Sequence, residues 1–183
     1  KTTWGTTTYT HNNFNTDGKK IMVGIDVSYH NGVIDWNKVK ASGIQFAILR
    51  VGYRAYVSGS IGADSKFRTY ITDAQKAGIK VGVYFFSQAI NEAEAIEEAN
   101  YVLKNIKQYN IDLPIAFDYE YAGDKLGRLY EAHLSKAQKT KNAAAFCKVI
   151  EDAGYDAMVY SNISWFYSEL DAATLRKNYD IWM

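Results

Sequence analysis

Pro114-Ile115-Ala116-Phe117-Asp118-Tyr119-Glu120-Tyr121 runs from an apolar stretch into two carboxylates spaced two residues apart. Side chains two apart on a strand point to the same face, so a strand here projects Asp118 and Glu120 side by side. Two carboxyls in one environment cannot both ionise easily. One is pushed toward a proton donor and the other stays charged, the division of labour that glycoside cleavage requires. A D-x-E pair by itself reads equally as two solvated carboxylates or as partners for lysine, so its meaning depends on what surrounds it.

Working outward, apolar strands rich in Val, Ile, Phe and Tyr recur at 23–28, 46–52, 81–87, 115–120, 158–162 and 180–183. Most lack polar alternation, as expected of strands covered on both faces. The helices between them stop on Ser42-Gly43, Ala77-Gly78 and Ala153-Gly154, where glycine takes the left-handed conformation that ends a helix. Asn91 with Glu94 forms a capping-box-like start. Ile96, Ala99, Leu103 and Ile106 then follow as one apolar stripe. Ala143, Phe146, Cys147 and Ile150 repeat the pattern, which makes Cys147 a small core residue. Strand–helix alternation predicts a parallel sheet, as a barrel or an open doubly wound sheet. No G-x-G-x-x-G or Walker motif follows any strand, which weakens the nucleotide-binding open sheet. A barrel places its site at the carboxyl ends of its strands. Asp26, Tyr53, Phe86, Asp118, Glu120 and Tyr160 collect there.

The chain has 183 residues, with 21 basic and 20 acidic side chains and a net charge of +1, so nothing in it resembles the basic footprint of a nucleic-acid binder. No apolar run approaches the roughly 18 residues of a membrane span. Cys147 is the single cysteine, so no internal disulfide can form. His11, His30 and His133 show no metal-ligand spacing, and no G-x-S-x-G elbow appears; neither metal nor cofactor is expected. Residues 1–20 are polar and read as an N-terminal arm or appended hairpin, with the domain occupying 21–183. Asp26, inside the apolar stretch Gly24-Ile25-Asp26-Val27-Ser28, either faces a polar site or caps the turn at Ser28-Tyr29-His30. Asp64 reads as a helix cap, and Glu92, Glu94, Glu97 and Glu98 as a solvated helix face.

These residues resemble glycoside hydrolase family 25, the lysozyme-type muramidases. The likeness is carried in collinear order by Gly24–Ser28 as quoted, Ile34-Asp35-Trp36, Val39-Lys40, Phe46-Ala47-Ile48-Leu49-Arg50-Val51-Gly52-Tyr53, Ala77-Gly78-Ile79, Val81-Gly82-Val83-Tyr84-Phe85-Phe86-Ser87 and the D-x-E strand. The resemblance implies an α/β, TIM-like (β/α)5β3 barrel, and because 180–183 reads as a strand beginning, the chain is expected to stop before the last strands. It also implies hydrolysis of the β-1,4 bond between N-acetylmuramic acid and N-acetylglucosamine, with retention and substrate assistance. Glu120 is then the general acid, Asp118 the assisting carboxylate and Asp26 a further acidic residue. The family's usual acid from its final strand has no counterpart, since Asp180 begins an earlier strand.

Tyr53, Tyr84, Phe86, Tyr121 and Tyr160 are expected either to line a glycan groove or to pack at the rim. The implied partner is the peptidoglycan glycan strand, met outside the cell or in the wall by a monomeric catalytic domain attached to wall-binding modules. A non-catalytic wall-glycan-binding module is the competing reading. A chitinase-type D-x-x-D-x-D-x-E run is excluded by Pro114 and Ala116.

Overall fold

The computed structural model describes residues 2–4, 7–9, 22–123 and 126–183, with backbone alone for the first two segments. There β1 (Thr2–Trp4) and β2 (Thr7–Tyr9) pair antiparallel, Thr2 opposite Tyr9. The rest of the polar arm, His11 included, lies outside the described residues.

The main body follows as β3 (Gly24–Val27), α1 (Trp36–Ala41), β4 (Phe46–Arg54), β5 (Ile61–Ala63), α2 (Phe67–Lys76), β6 (Lys80–Ser87), α3 (Glu92–Ile106), β7 (Ile115–Tyr119), α4 (Arg128–Glu131), α5 (Lys136–Asp152), β8 (Ala157–Tyr160), α6 (Ile163–Ser168), α7 (Ala172–Leu175) and β9 (Asp180–Trp182). Each expected strand is present. The short β5 was not foreseen; it folds back antiparallel on the end of β4, with Tyr53 opposite Gly62. Three residues, one of them glycine, give too little periodicity to be read as a strand.

Strands β3-β4-β6-β7-β8-β9 lie side by side in chain order, all parallel. A winding that never reverses, with right-handed crossovers, sends every connecting helix to the same face. With the strands' own twist the sheet curls about its uncovered face into a half-barrel. This separates the fold from a doubly wound sheet, whose strand order reverses at a switch point. Helices α2 and α3 pack on β4 and β6, and α5 packs on β7, β8 and α3.

Alternation then divides each strand between two environments. Leu49, Val83, Phe85, Phe117, Tyr119 and Val159 point to the helices and are almost wholly buried, with Phe117 stacked on Phe146 of α5 at 4.7 Å between ring centroids. Asp26, Arg50, Tyr84, Asp118, Tyr160 and Trp182 take the opposite, concave face by register. Low on that face Gly82 leaves room for Ile48, whose Cδ1 lies 2.7 Å from where a Cβ would stand.

The helix stops form as expected. Gly78 has φ +71°, its N–H donates to Gln75 O (3.0 Å), and Ile79 N–H donates to Ala74 O (3.0 Å), satisfying two carbonyls at the end of α2. Gly154 closes α5 in the same way, with N–H bonds from Gly154 to Glu151 O and from Tyr155 to Ile150 O. The expected α3 stripe is rotated: Ile96 is exposed, and the buried face is Ala95, Ala99, Val102 and Ile106 together with Glu98. An ion pair accompanies the rotation. Glu98 Oε1 accepts from Arg54 Nε at 2.6 Å, drawing a charged position onto the sheet. The acidic face of α3 is therefore not simply solvated. Arg54 also bonds Glu97 and the Gly59 carbonyl, and Arg128 grips Glu94 through both terminal nitrogens.

Candidate active site

Register builds the site as a row. Phe86, Asp118, Tyr160 and Trp182 are successive partners across β6, β7, β8 and β9, at the carboxyl ends of the strands. Asp26, Tyr84, Asp118, Glu120, Tyr160 and Trp182 line one cleft of about 170 Å³. That is below the roughly 300–1,000 Å³ of a pocket that engulfs a small molecule, so the cleft holds only part of any larger ligand. Trp182 and Tyr160 meet with ring centroids 4.6 Å apart and form an aromatic wall.

The acids stand on a braced backbone. Between them, Tyr119 turns to the helix side, where its hydroxyl donates to Ala89 O (2.6 Å) and Asn142 Nδ2 donates to that hydroxyl (3.1 Å). Its carbonyl accepts from Ser161 Oγ at 2.7 Å. Gln88, fully buried, donates from Nε2 to Glu120 O (2.7 Å), while Gln88 O accepts from Arg128 (2.8 Å). The Glu120 carboxyl is half-buried, and its Oε2 accepts from Asn162 Nδ2 at 3.1 Å.

Asp118 is 7 % exposed, and its Oδ1 is buried with no hydrogen-bond partner in the protein. Burial holds its carboxyl well above the usual carboxylate range; Glu120 and Asp26 push the same way, and Arg50 opposes them. Burial likewise raises the Tyr84 and Tyr160 phenols, with the nearby carboxylates adding to it. Arg50 reaches this face from β4. Its Nε donates to Asp64 Oδ2 (2.9 Å), and its guanidinium lies 5.0 Å from the Tyr29 ring centroid and 5.5 Å from that of Tyr53. A bulge between Arg50 and Gly52 turns Tyr53 back to the concave face, opposite Phe86.

Of the residues singled out from sequence, Asp26, Asp118, Glu120, Tyr84 and Tyr160 meet in the cleft. Tyr53 and Phe86 share its face but stand outside it. Tyr121 is a correction: it packs against Trp165 and Tyr130 and bonds Lys139 and Glu169 in the helix layer, because it is one residue out of phase with Asp118 and Glu120. Asp64 does receive the Lys66 N–H at the approach to α2, but it also anchors Arg50 and the Tyr29 N–H. Trp182, Arg50 and Asn162 were missed. Arg50 had a signal, since a charge inside an apolar strand needs the same explanation that was asked of Asp26. Cys147 is buried in the core and burial pushes its thiol up.

A curled parallel sheet with acids gathered at its carboxyl-end rim places the chain among α/β barrel-type proteins. The sequence profile of glycosyl hydrolases family 25 matches residues 25–183, and the chain belongs to that family. It is 25% identical over 162 residues to the autolytic lysozyme of Clostridium acetobutylicum, a match covering 88% of this chain and 44% of that protein. It is 33% identical over 101 residues to lysozyme M1 of Streptomyces globisporus, covering 54% and 32% respectively. The chain thus spans less than half the length of these curated relatives. The crystal structure of the bacterial lysozyme from Streptomyces coelicolor superposes with a TM-score of 0.72 at 25% identity, covering 90% of this chain and 74% of that one.

Proposed function

We propose that the protein is a peptidoglycan muramidase, cleaving the β-1,4 bond between N-acetylmuramic acid and N-acetylglucosamine with retention of configuration. The observation that carries this reading is the convergence of Asp26, Asp118 and Glu120 on one aromatic-walled groove. The half-barrel is the larger part of a (β/α)5β3 barrel, with residues 21–183 as catalytic domain and 1–20 as a preceding arm. The protein acts outside the cell or in the wall as a monomer joined to wall-binding modules. Among the described residues no helix is long and apolar enough to cross a membrane.

Glu120 is the general acid, open to the groove and braced at its carbonyl. Asp118 is the assisting carboxylate. Its carboxylate accepts the N–H of the sugar's 2-acetamido group as the acetamido oxygen attacks the anomeric carbon. Burial makes the negative charge of Asp118 costly in the empty site, and the positive charge that develops on the acetamido group relieves that cost. The interaction is therefore strongest where catalysis needs it. Asp26 contributes negative potential from β3, and Tyr84, Tyr160 and Trp182 present faces to the sugar rings.

The test is digestion of purified peptidoglycan with analysis of the new reducing ends. N-acetylmuramic acid ends are expected, and Glu120→Gln should lower turnover about 10²–10⁴-fold. Unchanged turnover in Glu120→Gln removes the general-acid assignment, and reducing ends on N-acetylglucosamine remove the muramidase reading.

A further inference from the structure

Asn162 sits at the start of α6 with both ends of its amide committed. Its Oδ1 accepts the Trp165 N–H (3.1 Å) and the Ser164 hydroxyl (2.5 Å), which caps the helix. That cap fixes the amide's orientation, because only the oxygen end can receive those donors. The Nδ2 end must then point away from the helix, and it meets Glu120 Oε2 at 3.1 Å.

A carbonyl oxygen accepts an N–H better than a carboxylic hydroxyl does, so when Glu120 is protonated the Asn162 N–H favours the proton on Oε1 over Oε2. Resting on the reading of Glu120 as general acid, we propose that Asn162 is a positioning residue that reserves Oε2 as an acceptor and leaves Oε1 to deliver the proton. In the first step the proton passes from Oε1 to the glycosidic oxygen as the bond from the anomeric carbon to that oxygen breaks, its electron pair leaving with the N-acetylglucosamine side. The negative charge left on Glu120 is met at once by the Asn162 N–H. The same hydrogen bond holds the carboxylate in orientation for the return step, when Oε1 takes a proton from the incoming water. Without Asn162 both oxygens compete for the proton and the carboxyl is free to rotate, so part of the protonated population faces the wrong way.

The charged and titratable groups around this carboxyl are Asp26 on β3, Arg50 on β4, Tyr84 on β6, Asp118 on β7 and Tyr160 on β8. Two variants separate the helix cap from the donor. Asn162→Ser and Asn162→Asp both retain a capping oxygen, and neither retains the N–H that reaches Glu120. Asn162→Ser should melt within a few degrees of wild type, lose about tenfold in kcat, on the order of one good hydrogen bond, and keep KM. Asn162→Asp should lose more in kcat than Asn162→Ser, because a carboxylate then faces Glu120. Wild-type kcat in Asn162→Ser overturns the proposal. A kcat loss that comes with a fall in Tm beyond a few degrees in both variants also overturns it, by reducing Asn162 to a helix cap. Glu120→Gln run in parallel keeps the two readings apart. If it stays active, the general-acid assignment falls. If it is inactive while Asn162→Ser behaves as wild type, only the role of Asn162 falls.

Discussion

Replacing Asp118 with Asn should make the protein more stable at neutral pH while abolishing turnover. Asn preserves the shape of the side chain and removes an ionisable group that is 7 % exposed, has one oxygen unpartnered, and shares its surroundings with Glu120 and Asp26. Each pKa unit by which the folded state raises that carboxyl costs about 1.4 kcal/mol of stability once it is ionised. A gain of that order corresponds to about 2–4 °C in Tm per kcal/mol for a domain of this size. The pH dependence makes the test sharper. Because the folded state raises the Asp118 pKa, its favourable contribution is complete below the ordinary aspartate value of about 3.9 and is lost as pH climbs through the raised value. The stability gap between variant and wild type should therefore widen from acid toward neutrality and close in acid. Thermal melts followed by circular dichroism across that range measure it. A variant no more stable than wild type at neutral pH, or a gap that widens on acidification, would refute the electrostatic account of Asp118.

Two further outcomes are expected. Burial raises Glu98 to about 7, and with Glu94 and Glu97 it faces only the two guanidiniums Arg54 and Arg128. Glu98→Gln should therefore flatten part of the wild type's loss of stability as pH rises toward about 7, measured by denaturant titration at several pH values; an unchanged slope would count against a raised Glu98. Phe117→Ala empties a fully buried site between β7 and α5 and should cost about 3–5 kcal/mol in urea unfolding, whereas a loss below 1 kcal/mol would mean that this layer of the core is loosely packed.

The parallel sheet was legible because its strands are apolar runs alternating with helices, three of which stop on a glycine at Gly43, Gly78 and Gly154. The D-x-E pair was legible because a period of two is a local property of a strand. What could not be read was whatever depends on a partner distant in sequence. Glu98 looks like any surface glutamate until Arg54 lies against it. Tyr121 looked like a rim aromatic until Lys139 and Glu169 claimed its hydroxyl. Asn162 read only as the end of a strand, and its bond to Glu120 depends on β7 and β8 being neighbours. The face that α3 buries was ambiguous for a related reason, since Ala95, Ala99, Val102 and Ile106 form a second apolar stripe, and Glu98 on that side is explained only by Arg54.

The alternation along β7 makes two selective pressures nearly independent on a strand of a few residues. Ile115, Phe117 and Tyr119 answer to folding, while Asp118 and the adjoining Glu120 answer to chemistry. A single codon change at 118 or 120 can silence catalysis in a molecule that still folds, and by the reasoning above it can even fold better.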